Sequence, residues 1–89
     1  MVTALVYLDT SDPEGLSGTL GTTAHLFEDA EGFHGFDLLR GIETPDRFLL
    51  IARWDSVADH ERWQEAHVKE FLEALTPHLS ASPDIKHFE

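Results

Sequence analysis

Cysteine is absent from these 89 residues, which removes disulfides, thiolate metal sites and thiol nucleophiles together. Cations are scarce. Six Lys and Arg stand against 17 Asp and Glu, a net charge of −11 with histidine neutral. A nucleic-acid binder needs a cationic footprint, and this chain does not carry one. The same deficit disfavours anionic membranes and polyanionic substrates, leaving a neutral or weakly cationic small molecule as the acceptable ligand. No apolar run approaches membrane length. The opening MVTALVYLDTSD lacks a basic region and soon turns acidic, so neither a signal peptide nor an anchor is expected. The reading is a cytoplasmic protein.

What the chain does contain is enough apolar material for one core. It is 42% hydrophobic and 26% charged, a folded composition at a length that suits a single domain over residues 1–89. VTALVYLD, rich in β-branched and aromatic residues, reads as a first strand. In SDPEGL, Ser11 or Asp12 can cap a helix, with Pro13 at its first position and Glu14 at the positive dipole end. Leu16, Leu20, Ala24 and Phe27 form an apolar row along that helix, which Glu31-Gly32 closes. Gly15, Gly18 and Gly21 read as close-packing or fraying positions, since GLSGTLG lacks the lysine of a phosphate loop and fits no dinucleotide fingerprint. GFHGFDLLRGI and RFLLIARW follow as two strands joined by the turn sequence ETPD. Ser56 to Asp59 fits a capping box, opening a long amphipathic helix that runs to about Leu79, with Pro77 ending or kinking it. SPDIKHFE is a short last strand. The order β-α-β-β-α-β predicts an α+β fold, a ferredoxin-like sandwich with an antiparallel sheet.

The third strand implies a second subunit. Phe48, Leu50, Ala52 and Trp54 point to one side, and Leu49 and Ile51 to the other. Both faces are apolar, as expected only where both are covered. The two helices lie on one face in this topology, so a homodimer packed sheet to sheet is predicted.

Residues 60–67 read HERWQEAH. The first five letters resemble a zinc-protease signature, but Gln64 stands where the second histidine is required. His60, Trp63 and His67, spaced by three and four, share one helix face. A metal site would need His34 or His87 to join His60 and His67. But His60 and His67 are two turns apart, about 10 Å along the axis, too far to share one ion comfortably. No metal is expected.

The block GFHGFDLLRGIETPDRFLLIARWDSVADHERW resembles the antibiotic biosynthesis monooxygenase family. The family pattern places a G-F-x-G-F/x-x-L-L-R strand before a turn, then an apolar strand ending R-W-x-S and an aromatic-bearing helix. These map here to Gly32–Arg40, to Arg53-Trp54-Asp55-Ser56, and to Trp63. The resemblance implies a dimeric α+β barrel. It also implies chemistry of the kind its members perform: some oxidise anthrones to quinones with O2 and no metal or flavin, others degrade haem or act on small quinols. The asparagine on which anthrone-type members rely would stand four residues before the R-W-x-S tryptophan, where this chain has Leu50; it contains no asparagine anywhere. Haem-degrading members place an iron-ligating histidine nine or ten residues beyond the helix tryptophan, where this chain has Leu72 and Glu73.

The resemblance implies that the inner arc of the second helix faces the sheet and that the family's ligand cavity opens between them. Trp63, His67, Phe71, Ala74 and Leu75 lie on that arc, with His60 and His78 among them. The functional reading makes His60 and His67 candidate bases in a cavity walled by Trp63 and Phe71. An imidazole can take a phenolic or C–H proton from a planar substrate, and the resulting anion reduces O2 without a cofactor. Arg40 and Arg53 are candidates to steady an anionic intermediate, or else to pair with Asp37 and Asp55. The expectation is a cofactor-independent monooxygenase for a planar aromatic, anthrone or quinol. The alternatives are a non-catalytic ligand-binding or stress-response dimer, and a haem-binding protein.

Overall fold

Alternation of apolar residues sets the sheet. β1 (Val2–Asp9) buries Ala4, Val6 and Leu8, and β3 (Arg47–Trp54) buries Phe48, Leu50, Ala52 and Trp54. The two pair antiparallel with Ala4 opposite Ala52 and Leu8 opposite Phe48, so their buried side chains share one face. β2 (Phe33–Arg40) and β4 (Asp84–Phe88) flank them in the order β2-β3-β1-β4, every pairing antiparallel. Near the start of β2 the register shifts between Phe33 and Gly35. Gly35 has φ +120°, a conformation that other residues rarely adopt, and it lets the strand absorb the extra residue. In this computed structural model, which describes residues 1–89, the architecture is the ferredoxin-like α+β sandwich expected from the sequence.

α1 (Pro13–Thr23) begins where Asp12 accepts the backbone N–H of Gly15, with Pro13 in the first turn. It is shorter than predicted. The α-helix stops at Thr23, a 3₁₀ turn spans Ala24–Phe27, and no helix reaches Glu31-Gly32. Thr22 and Thr23 both donate their hydroxyls back to the carbonyl of Thr19, a bond that competes with regular helix. Leu16, Leu20 and Phe27 still reach the core, as the apolar row required. Of the three spaced glycines only Gly15 is closely packed, against Asp12 and His78; Gly18 and Gly21 face open space.

α2 (Val57–Leu75) is one unbroken helix, capped by Ser56, whose Oγ accepts the Asp59 N–H. It ends at Leu75, four residues before the predicted limit, because Pro77 cannot continue it and Thr76–His78 tighten into a 3₁₀ turn. Both helices pack on the same face of the sheet. Leu8, Leu16, Trp54 and Leu75 are the largest fully buried side chains between the layers.

The opposite face carries no helix. Leu5, Tyr7, Leu49 and Ile51 lie half-buried there, beside the more exposed Leu39 and Phe88. Both faces of the central strands are therefore apolar, as the unbroken apolar run in RFLLIARW implied.

Capping makes α2 sensitive at its first residue. Replacing Ser56 with alanine is expected to lower stability by about 1 kcal/mol, while Ser11→Ala stays within about 0.5 kcal/mol, since Asp12 caps α1. Urea denaturation of both variants checks this.

Candidate functional site

Between α2 and the edge strand β4 the two layers separate, leaving a cavity of about 140 Å³. Val6, Leu8, Leu50 and Ala52 form its sheet wall, with Phe27 closing the back. Along the helix, His60, Gln64, Val68 and Leu72 border it at four-residue intervals, joined by Trp63, Phe71 and Leu75 from the inner arc. Ile85 and Pro83 complete the β4 side. Eleven of the fourteen lining residues are hydrophobic, so the polar side chains His60 and Gln64 decide what a ligand can hydrogen-bond.

His60 stands at one end of this slot. It is 4% exposed, stacked on the Trp54 indole at 5.0 Å and 17°. Its Nδ1 lies 2.8 Å from Nε2 of His87, which comes from β4 opposite Ala4. This bond ties helix to edge strand and closes that end. At the other end, about 18 Å along the helix, Leu72 is 36% exposed and forms an apolar mouth, with Ile85, 38% exposed, on the strand side between. Burial, reinforced by the neighbouring His87, depresses the His60 pKa from 6.5 to about 4. At neutral pH His60 is therefore an uncharged imidazole, with a lone pair available to accept a proton.

The other predicted residues take different places. Trp63 is buried, stacked on Phe27 at 4.3 Å, and donates its indole N–H to the Leu26 carbonyl at 2.9 Å. Phe71 packs edge-on to it at 5.5 Å. Both line the cavity. His67 lies on the far side of Trp63, 5.9 Å between ring centres, and borders a separate shallow hollow with Asp29, Glu31 and Arg62. Four-residue steps from His60 lead down the cavity, whereas a seven-residue step turns only about 20° in the opposite sense and leaves His67 off its lining. His78 is also elsewhere, bonded to Asp12 at 3.0 Å. Arg40 donates to the Pro45 carbonyl and lies over the Phe48 ring. Arg53 pairs with Asp37 at 3.1 Å on the helix-free face. Neither arginine borders the cavity.

Val68 and Ile85 were not singled out from the sequence, Gln64 figured there only as the break in the zinc-protease signature, and His87 was weighed there only as a metal ligand. The four-residue row from His60 to Leu72 was available to find the helical members. His87 had no such signal, because strand register alone brings it to His60.

The pattern of the antibiotic biosynthesis monooxygenase family matches residues 20–74, more than half of the chain. The protein belongs to that family. A Bordetella bronchiseptica protein classed among these monooxygenases superposes with a TM-score of 0.92 at 22% identity, covering 99% of this chain and 94% of that one. SnoaB, a cofactor-independent oxygenase from Streptomyces nogalater, superposes with a TM-score of 0.85 at 20% identity, over 99% and 90% of the two chains. The mycobilin-producing heme oxygenase of Mycobacterium tuberculosis is 35% identical over 40 residues, spanning 45% of this chain and 38% of that enzyme.

Because the fold disfavours protonated His60, the unfolded chain binds more protons between pH 6.5 and 4. The contribution of neutral His60 is fully present above pH 6.5 and is lost as pH falls through about 4. Between pH 7 and 4.5 the wild type should lose about 2 kcal/mol more than His60→Leu, which has no such group. Parallel urea titrations at the two pH values measure the difference.

Proposed function

We propose that this protein is a cytoplasmic, cofactor-independent monooxygenase for a neutral ring-sized phenol or quinol, with His60 as the base. The observation that carries this reading is a neutral, buried imidazole at the closed end of an apolar, aromatic-walled cavity. Its volume supports one aromatic ring, since cavities of about 150 Å³ hold benzene. A wider planar substrate such as an anthrone would project through the mouth.

Deprotonation of a hydroquinone hydroxyl gives a phenolate whose ring carbons are electron-rich. That anion can give up electrons to O2 directly. In the balanced reaction hydroquinone plus O2 yields hydroxyquinone plus water. One oxygen atom forms a ring C–O bond and the other leaves as water, with all electrons supplied by the substrate. The chain's own part is to hold the ring against Trp63 and Phe71, exclude water, and accept the hydroxyl proton at His60. Gln64, one helical turn from His60, is placed to hydrogen-bond a substrate oxygen. Arg40 and Arg53 are engaged elsewhere and have no role in this reading.

A homodimer forms part of the proposal. The exposed apolar face of Leu5, Tyr7, Leu39, Leu49, Ile51 and Phe88 would be covered by the same face of a second copy. Light scattering at micromolar concentration should give twice the chain mass, and Ile51→Lys should halve it. A monomeric wild type overturns this part alone.

An oxygen electrode with a substituted hydroquinone tests the chemistry. Wild type should consume O2, His60→Leu should lose roughly 10²–10⁴ in rate, and His67→Leu should stay within about twofold. Binding of the quinol without O2 uptake would instead identify a binding protein on the same cavity. Hemin addition should leave the Soret band unshifted, because the cavity is too small for the macrocycle.

A further inference from the structure

The His60–His87 contact does more than close the slot. Two imidazole nitrogens 2.8 Å apart must share one proton, so one ring presents N–H and the other a lone pair. The arrangement has a direction. His60 is buried and borders the cavity, and the only hydrogen bond it makes through its ring is to His87, leaving Nε2 for a ligand. His87 stands on an edge strand whose every residue is exposed. The pair therefore joins an interior proton acceptor to water through one hydrogen bond.

We propose that His87 is the outer half of a two-histidine proton relay, carrying to solvent the charge that His60 takes from a ligand hydroxyl. The proposal rests on the reading of His60 as base. In the resting pair, His60 holds its proton on Nδ1 and donates it to the Nε2 lone pair of His87. A ligand O–H breaks and an N–H forms at His60 Nε2. The N–H at His60 Nδ1 breaks and one forms at His87 Nε2. His87 then carries the positive charge in water, and releases its Nδ1 proton to a water molecule. One proton leaves the ligand, one reaches solvent, and no electrons change hands in the step.

Two features favour this over a purely structural clasp. Burial makes a cation on His60 unfavourable, which is the reason its pKa is depressed, so a base there needs somewhere to send the charge. The surroundings offer only one recipient. Trp54 faces His60 from β3, Trp63 packs beside it on α2 and His87 faces it from β4, while of the charged residues flanking it on α2 Asp59 and Arg62 are bonded to each other at 2.7 Å and Glu61 is exposed. His87 is also free to be replaced, since an exposed strand residue contributes little to the core.

The test combines a spectroscopic readout with kinetics. Imidazole ¹H–¹⁵N spectra of uniformly ¹⁵N-labelled wild type should place the His60 proton on Nδ1, leaving Nε2 bare. As pH falls, the two rings should respond together to uptake of a single proton. In His87→Gln, an amide oxygen can still accept the Nδ1 hydrogen bond but cannot take the proton. Quinol turnover should then fall roughly tenfold or more, with an altered pH profile. In His87→Ala, free imidazole in the buffer should restore part of the lost rate. The inference is overturned if His60 carries its proton on Nε2, if the two rings titrate independently, or if His87→Gln keeps the wild-type rate and pH profile. Should wild type consume no O2, the oxygenase reading fails by itself, and the tautomer and joint titration still decide whether the relay exists.

Discussion

Two helices can cover one face of a four-stranded sheet, and the rest of this molecule follows from that limit. α1 and α2 span the central strands, burying Leu8, Leu50 and Trp54 beneath them. The opposite face keeps its apolar side chains uncovered, and α2 meets the edge strand β4 through the His60–His87 bond without covering it. Ile85 and His87 point to the helix side of the sheet, yet they remain exposed because no helix rests on them. The slot is the space left alongside α2, between the helix and the uncovered edge strand.

That origin explains its chemistry. A gap between two amphipathic layers is lined by whatever each layer turns inward, here mostly Leu, Val, Phe and Trp. Polar character enters only at the borders of the helix, where His60 and Gln64 occupy the row flanking the buried arc. Being on the border, His60 is close enough to the core to stack on Trp54 and lose its hydration, and close enough to the edge to reach His87. Neither half of that position would suffice: a fully interior histidine would have no route to water, and a surface histidine would not be held neutral by burial.

The fold was readable in the sequence because each element is locally consistent. RFLLIARW holds a continuous apolar run of strand length, Asp12-Pro13 and Ser56-Val57-Ala58-Asp59 are helix starts by composition, and Pro77 stops a helix through its missing N–H. The predicted extent of α1 failed where hydrophobic spacing competed with threonines that bond their own backbone. The site was readable only in part. Trp63, Phe71 and His60 fall on the cavity because it borders the inner arc, but His67 occupies a similar angular position and is cut off by the Trp63 ring. A helical wheel gives direction and not what stands in between. His87 was invisible for a different reason: its relation to His60 is set by the pairing of β4 with β1, a contact across 27 residues that no local pattern encodes.

On the proposed reading, the two ends of the slot also orient its ligand. His60 and His87 close one end, while Leu72 forms an apolar mouth at the other and Ile85 flanks the slot between them. A ligand entering there presents its leading edge to the imidazole, so that edge must carry the hydroxyl. Whatever trails behind lies between leucine, isoleucine and proline side chains, where a charge would lose hydration without gaining a partner. The arginines that might have offered one are committed elsewhere, and the chain as a whole repels anions. The cavity therefore selects for a ring with its polar group at one end and an uncharged, apolar substituent at the other. The same polarity serves the relay, because the proton departs through the closed end while the apolar body of the ligand keeps water from returning through the open one.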